Sequence, residues 1–452
     1  MRYQFIIIFL LNILFVSALK AQTFTVYPKN NLQKILDNSA DGDVIKLSQG
    51  HYLGNFKVNH AITLTTAQNA TIDAQGKGNA LLLNNSNITI ENLTIINWGN
   101  DLTAQNAGIF SNKNNKLTIQ NNTLHGDGFG MWLQKAEHLK VANNIVSGNT
   151  QLRSPDRGNG IQLSSVTQSQ VFNNETYNVR DGLYIIASKN NLIKGNKLHH
   201  LRYGIHYMYS YDNTVINNLA YNTRAGYALM SSRRLIIENN KAIDCEDYGF
   251  LLNFITQSSF KNNIIKNIWT KPEHKVSGRE GKGLFVYNSG YNTITNNHIE
   301  HAEIGIHLTA GSEKTTVYGN SFINNPTQVK YVVNREEEWS KNGKGNYWSN
   351  YLGWDMNNDQ IGDVAFEPND GIDKLVWQYP EMKMIMDSPA IIILRWVQRQ
   401  FPVLKPPGVK DSFPLMHEPK AHSLEKMSKT KAQSTNPKQS QLSSATFAKL
   451  SE

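Results

Sequence analysis

His206, Met208 and Met230 are the residues of this chain whose types and spacing most directly suggest chemistry. His206 and Met208 stand two apart in YGIHYMYSYDNTVINN (203–218), and Met230 follows Met208 by 22 positions in GYALMSS (226–232). One imidazole and two thioethers suit a soft ion such as Cu(I) and are a poor set for Mg or Ca. The plainer use of the same residues is a contact surface without metal, because Met and aromatic side chains often simply cover a face.

Other residue sets suggest other chemistries. Arg180, Arg202 and Arg224 recur at intervals of 22; stacked guanidinium groups repel unless an anion or acidic partner lies across them, or unless Asp181 and Asp247 neutralise them. Trp132, Tyr184 and Phe285 offer aromatic faces for a protein partner or for sugar rings. Asp355, Asn357, Asp359 and Asp363 have the spacing of a calcium loop, although Gln360 stands where such loops place glycine and no acid occupies the twelfth place. Acid and base catalysis on polysaccharides needs two or three carboxylates within ~5 to 10 Å. The candidate strands carry isolated acids such as Asp181 and Glu303, and the chain has no Ser/His/Asp set, phosphate loop or HExxH helix. The expectation is a protein that is not an enzyme.

These residues share one framework, a repeat. A glycine followed by an apolar strand recurs at Gly108, Gly130, Gly160, Gly182, Gly204, Gly226, Gly249, Gly283 and Gly305, with spacings of 22, 30, 22, 22, 22, 23, 34 and 22. An asparagine keeps step with it, at Asn122, Asn144, Asn174, Asn196, Asn218, Asn240, Asn263, Asn297 and Asn320. About 22 residues hold two or three short strands and their turns but no helix, so successive units stack ~4.8 Å apart as parallel sheets. The fold expected is all-β, a right-handed single-stranded parallel β-helix. The asparagines read as structural, tolerating left-handed turns and bonding amide to amide from coil to coil.

Strand alternation then orients the side chains. Positions one and three after each glycine, such as Met131 and Leu133 or Leu183 and Ile185, face inward. Positions two and four face outward: Trp132, Tyr184, His206, Met208, Met230 and Phe285 lie on that outer face, whose aromatic and sulfur content marks a contact site. The two long spacings insert TQLRSPDRG and WTKPEHKVSGREG at one corner, where solenoid insertions often frame a binding face.

The ends are different. MRYQFIIIFLLNILFVSALKAQ reads as a secretory signal cleaved after Ala21, and no later stretch is apolar enough to span a bilayer. NNLQKILDNSADGD suits a short helix, with Asn30 or Asn31 as N-cap, covering the open end of the solenoid. Cys245 is the single cysteine, which excludes an internal disulfide framework. The formal charge is +9, or +7 without Arg2 and Lys20, and six lysines lie between Lys420 and Lys449 in a tail too polar to bury. That balance does not point to nucleic acid. DSPAIIILRWVQRQFPVLKPPG reads as a short helix capped by Asp387 or Ser388, with Ile391, Ile392, Leu394 and Val397 on one side. It suits a membrane surface, a membrane partner, or packing across the last coil. The divisions expected are 1–21 signal peptide, 22–340 β-helix with its N-terminal cap, 341–417 a C-terminal extension for capping or docking, and 418–452 a disordered tail.

The chain resembles the NosD family of periplasmic accessory proteins for nitrous-oxide reductase. The likeness rests on RGNGIQL, YGIHYMYSYDNTVINN, GYALMSS, GLFVYNSGYNTITNN, GNYWSNYLGWD and SPAIIILRWVQRQFPVLKPPGVKDSFPLM, and reaches from the signal sequence to about Met416. The last two motifs are the specific ones, since sugar-acting β-helices share the repeat motifs. The resemblance implies a periplasmic protein bound to an ABC transporter of ATPase and permease, touching the membrane through the permease. It also implies work with a copper chaperone on the reductase's copper-sulfide centre, with copper bound transiently. It carries no ligand set, so His206, Met208 and Met230 rest on geometry alone. The alternative is a β-helix that binds or cleaves uronic-acid polymers.

Overall fold

A computed structural model describes residues 21–276, 278–309, 311–333, 335–386, 388–401 and 407–419. The stretch up to Lys20 expected to be a secretory signal, Asp387, Pro402 and the lysine-rich stretch from Lys420 lie outside the described residues. The rest is a parallel β-solenoid of about 14 turns, wound right-handed as parallel crossovers almost always are.

Residues one repeat apart sit directly over one another. Gln162 pairs with Tyr184, Tyr184 with His206, and His206 with Ala228. The long spacings are absorbed without a register slip, since Met131 pairs with Ile161 and Leu251 with Phe285. One face of the coil forms a 13-stranded sheet. The other two join because the strands Lys197–Met208 and Leu219–Met230 run unbroken through the corner.

The glycine column marks where coils approach most closely. A Cβ on Gly204 would lie 2.5 Å from the Gly226 carbonyl oxygen and 2.9 Å from the Ala220 Cβ, so any side chain there would force the coils apart. Inward positions fill with aliphatic residues and a few rings, such as Tyr227 stacked on Phe250 at 4.2 Å.

The asparagines form the expected ladder. Asn196 Nδ2 donates to Asn218 Oδ1 at 2.9 Å, Asn218 Nδ2 to Asn240 Oδ1 at 2.9 Å, and each backbone N–H donates to the same oxygen. The ladder runs one rung further than the glycine repeat, to Asn346. The left-handed positions are not the ladder asparagines. They are the residues just before them, such as Asn143, Asn217 and Asn239 with φ of 56°, 58° and 55°. The turn residue supplies the backbone bend, and its neighbour points inward to saturate donors that no strand could reach.

Helix α1 (Leu32–Asp37) closes the first coil, with Leu32 and Leu36 buried and the Asn31 side chain accepting from the Lys34 N–H at 3.0 Å. At the far end Tyr347–Trp348 adds a last parallel rung on Ser321–Phe322. Trp339, Trp348 and Val409 are buried within the core there. Helix α2 (Gly371–Gln378) is capped by Asp370 and Asp373, and helix α3 (Pro389–Gln400) packs against it through Arg395, which binds both of those carboxylates. Ser388 is the N-cap residue of α3 but makes no side-chain capping bond. Ile391 of α3 is buried while Ile392, Ile393, Leu394 and Trp396 are exposed. No helix is long and apolar enough to cross a membrane among the described residues.

Candidate functional site

Register places the outward residues in one column, from Trp132 through Gln162, Tyr184, His206, Ala228, Leu251 and Phe285 to His307. The column is less open than alternation alone suggests: Ala228 and Leu251 are buried, and His206 is 7% exposed. At its N-terminal half lies a cleft of about 440 Å³ lined by Trp132, Asn159, Gln162, Arg180, Tyr184 and His206, with Asp181 and Arg202 in its wall.

Asp181 organises that wall. Its carboxylate accepts from Arg202 Nε at 2.8 Å and Nη2 at 2.7 Å, and from His206 Nδ1 at 2.8 Å. Burial alone would raise this carboxyl; the bonds from Arg202 and His206 outweigh it and hold the pKa below the usual carboxylate range. A carboxylate only accepts, so Nδ1 of His206 carries the hydrogen and Nε2 is left for another partner. His206 Nε2 has no partner, and neither do Trp132 Nε1, Arg180 Nε and Asn159 Oδ1, all of them buried atoms.

The arginine column is therefore mostly neutralised. Arg202 pairs with Asp181, and Arg224 with Asp247, which also binds Arg279 from the second insertion. Arg180 is the member for which the expected repulsion is not relieved by a carboxylate. Arg224 lines a different cleft of about 860 Å³, framed by Ser154 and Pro155 of the first insertion and by Trp269 and Lys271 beyond. Cys245 lines it too, but burial pushes its thiol up to about 11, far from a reactive thiolate.

Met208 and Met230 are direct register partners on adjacent strands, and His206 precedes Met208 by two on the same face. The Tyr184 hydroxyl donates to the Met208 sulfur at 3.2 Å. Among the described residues no group of three or more His, Cys, Asp or Glu is placed to hold a metal ion; the imidazole and two thioethers are a donor set of another kind. They fit soft-ion chemistry in one further respect, because an imidazole whose Nδ1–H is held by a carboxylate presents Nε2 as metal-ligating histidines do.

Phe285 lies four strand spacings from Tyr184 along the column, ~19 Å away, and stacks on Tyr248 instead. One flat ligand cannot span it and Trp132 together with close contact throughout. In the loop 355–363 the acid oxygens are turned onto their own backbone: Asp355 accepts from the N–H groups of Asp359 and Gln360, and Asp363 from that of Met356. Asn159 carried a signal in the sequence only as part of RGNGIQL, whereas Gln162 also stands two residues after Gly160 in the outward-facing column. Their bond to each other, Asn159 Nδ2 to Gln162 Oε1 at 2.8 Å, is what turns the Asn159 oxygen free.

A family described as "Periplasmic copper-binding protein (NosD)" matches residues 142–353, and one described as "Right handed beta helix region" matches residues 56–219. The chain is 44% identical over 378 residues to the "Probable ABC transporter binding protein NosD" of Stutzerimonas stutzeri, covering 83% of this chain and 87% of that one. It is 46% identical over 386 residues to the protein of the same description from Pseudomonas aeruginosa, covering 84% and 90%. Among solved structures, the Dettilon tailspike protein shares the solenoid at a TM-score of 0.51 and 16% identity over 68% of this chain and 70% of its own, a likeness of fold alone.

Proposed function

This chain belongs to the NosD family of periplasmic, copper-related binding proteins, and from that premise we propose that it is a non-enzymatic maturation factor for nitrous-oxide reductase. In this reading it is docked on the ATPase and permease of an ABC transporter and passes copper between a periplasmic chaperone and the reductase. Copper is cargo here. His206, Met208 and Met230 are the residues proposed to hold it, by donor type and by the free Nε2 of His206. The 355–363 loop is not assigned a cation.

The observation that carries the docking reading is the uncovered apolar face of α3. Ile392, Ile393 and Trp396 are 59 to 61% exposed on a helix whose polar side is pinned to α2 by Arg395. Such a face is unfavourable in water and suits a membrane-embedded partner. Co-expression with the transporter subunits tests it. The intact chain is expected to co-purify with ATPase and permease, and Ile393→Asp with Trp396→Asp to abolish this without lowering the melting temperature. A double variant that still co-purifies overturns the assignment of α3.

A further inference from the structure

Tyr184 touches two of the three residues that the copper reading makes ligands. Its hydroxyl donates to the Met208 sulfur at 3.2 Å, and its ring meets the His206 imidazole edge-on, with centroids 4.6 Å apart and planes at 61°. Both contacts run between coils. Tyr184 is the register partner of His206 and so stands one coil before Met208, whereas Met230 is the register partner of Met208 one coil after it. The Met208 sulfur is therefore engaged by a residue of the preceding coil, while the thioether with which it would share an ion stands on the following one.

Packing decides which of the two side chains moves. The Tyr184 ring is half-buried in a column between Gln162 and His206, and His206 is itself held by Asp181 at 2.8 Å. Edge-on ring contacts at such distances are favourable, so the phenol is fixed. Methionine is unbranched with three rotatable bonds, and Met208 and Met230 are both only partly buried. The side chain that turns is Met208. The O–H···S bond opposes that turn modestly, because a thioether is a weak acceptor.

We propose that Tyr184 is a gate on the soft-ion site: its hydroxyl holds the Met208 sulfur, and that bond must break before Met208 and Met230 bind one ion together. The gate rests on the copper reading and deepens it, adding a residue that regulates the site without being a ligand. It involves no covalent step. When only a fraction of molecules has the sulfur released, the apparent affinity falls by that fraction. A carrier that must give up its cargo gains from this, since the hydroxyl recaptures the sulfur as the ion leaves.

Tyr184→Phe keeps the ring and removes the hydroxyl, and it is tested without copper and with it; circular dichroism verifies that each variant is folded. Without copper, the purified chain is exposed to dilute hydrogen peroxide, and sulfoxide at each methionine is followed by peptide mass spectrometry. Met208 is expected to oxidise about three-fold faster in Tyr184→Phe, because a lone pair engaged by a hydroxyl is a poorer nucleophile, and Met230 at an unchanged rate. With copper, competition against a calibrated Cu(I) chelator is expected to show about five-fold tighter binding in Tyr184→Phe, about 1 kcal/mol, the scale of one hydrogen bond. In a Met208→Leu background the same substitution is expected to leave Cu(I) affinity unchanged. An unchanged Met208 oxidation rate, or an equal acceleration at Met230, overturns the gate whatever copper does. So does a Cu(I) affinity that is unchanged or weaker in folded Tyr184→Phe, or a gain that persists with Met208→Leu. Faster Met208 oxidation with no Cu(I) binding by either chain removes the copper reading, and the gate with it; the peroxide result tells the two failures apart.

Discussion

His206 Nδ1 lies 2.8 Å from a carboxylate oxygen of Asp181, one coil earlier, and Arg202 grips the same carboxylate through two nitrogens. One acid thus sets the tautomer of the histidine and neutralises the arginine. Asp181→Asn should lower stability by ~2–4 kcal/mol, below the ~3–5 of a fully buried pair because Arg202 keeps 27% of its side chain in solvent. Since the folded carboxyl lies below its ordinary pKa, its contribution is present above ~3.9 and lost as pH falls below that. Melting curves from pH 3 to 7 check this: the variant should lack that acid-side component.

Met208 and Met230 stand side by side, one strand spacing apart, and the copper reading makes both of them ligands. The Met208→Ala, Met230→Ala double variant should lose affinity by roughly 100-fold, with each single variant in between, if sulfur supplies two of three ligands. Competition titration against a calibrated Cu(I) chelator measures it. Unchanged affinity in the double variant would remove these residues from the copper reading.

Asn218 receives bonds from the Asn196 side chain and backbone, and gives its own to Asn240, Ile193 and Ile216. Asn218→Ala strips the acceptor from the buried Asn196 donors on one side and the donor from the buried Asn240, Ile193 and Ile216 oxygens on the other. A loss of ~3 kcal/mol is expected, as several buried groups each lose ~1–3 with partial relaxation. Chemical denaturation should show it, and hydrogen exchange should speed up in the coils flanking residue 218 more than at α1.

Asp411 is fully buried and accepts from Trp348 Nε1 at 2.8 Å and from the N–H groups of Asn346 and Phe413. Burial raises its carboxyl to about 6 despite those bonds. The folded state therefore holds a proton that the unfolded chain releases at ~3.9, and stability should fall as pH rises from ~4 to about 6, by up to ~3 kcal/mol. Asp411→Asn should flatten that window. The readout is the pH dependence of melting, compared with the intact chain.

His307 has the opposite sign. Burial, with Lys330 and Lys282 beside it, lowers its pKa to about 3, so the unfolded chain takes a proton near ~6.5 that the folded one refuses. Stability should fall as pH drops from ~6.5 toward 3, with a slope of at most ~1.4 kcal/mol per pH unit. His307→Gln should remove that slope and leave the Asp411 window in place, a separation that melting of both single variants can establish.

The legible part of the protein was its periodicity. Glycine and asparagine 14 residues apart, repeated every 22, imply stacked coils, and the stack predicts which residues face in, which pair across coils and which asparagines bond. Arg180 shows where that legibility ends. It occupies the same column position as Arg202 and Arg224, yet its nitrogen lacks a partner while theirs find carboxylates. The repeat states position; pairing depends on which acid one coil away has a rotamer within reach, and Asp181 spends its two oxygens on Arg202 and His206.

The 22-residue period alone determined the solenoid, its core and its asparagine ladder, because backbone stacking and burial repeat locally and need no distant information. Only the tertiary structure decided that Asn159 bonds Gln162 and leaves its oxygen buried without a partner, that Asp411 reaches Trp348 from 63 residues away, and that the apolar face of α3 is exposed among the described residues. Those outcomes rest on competition among side chains and returning segments for a limited number of partners, and a competition of that kind is settled in space, not along the chain.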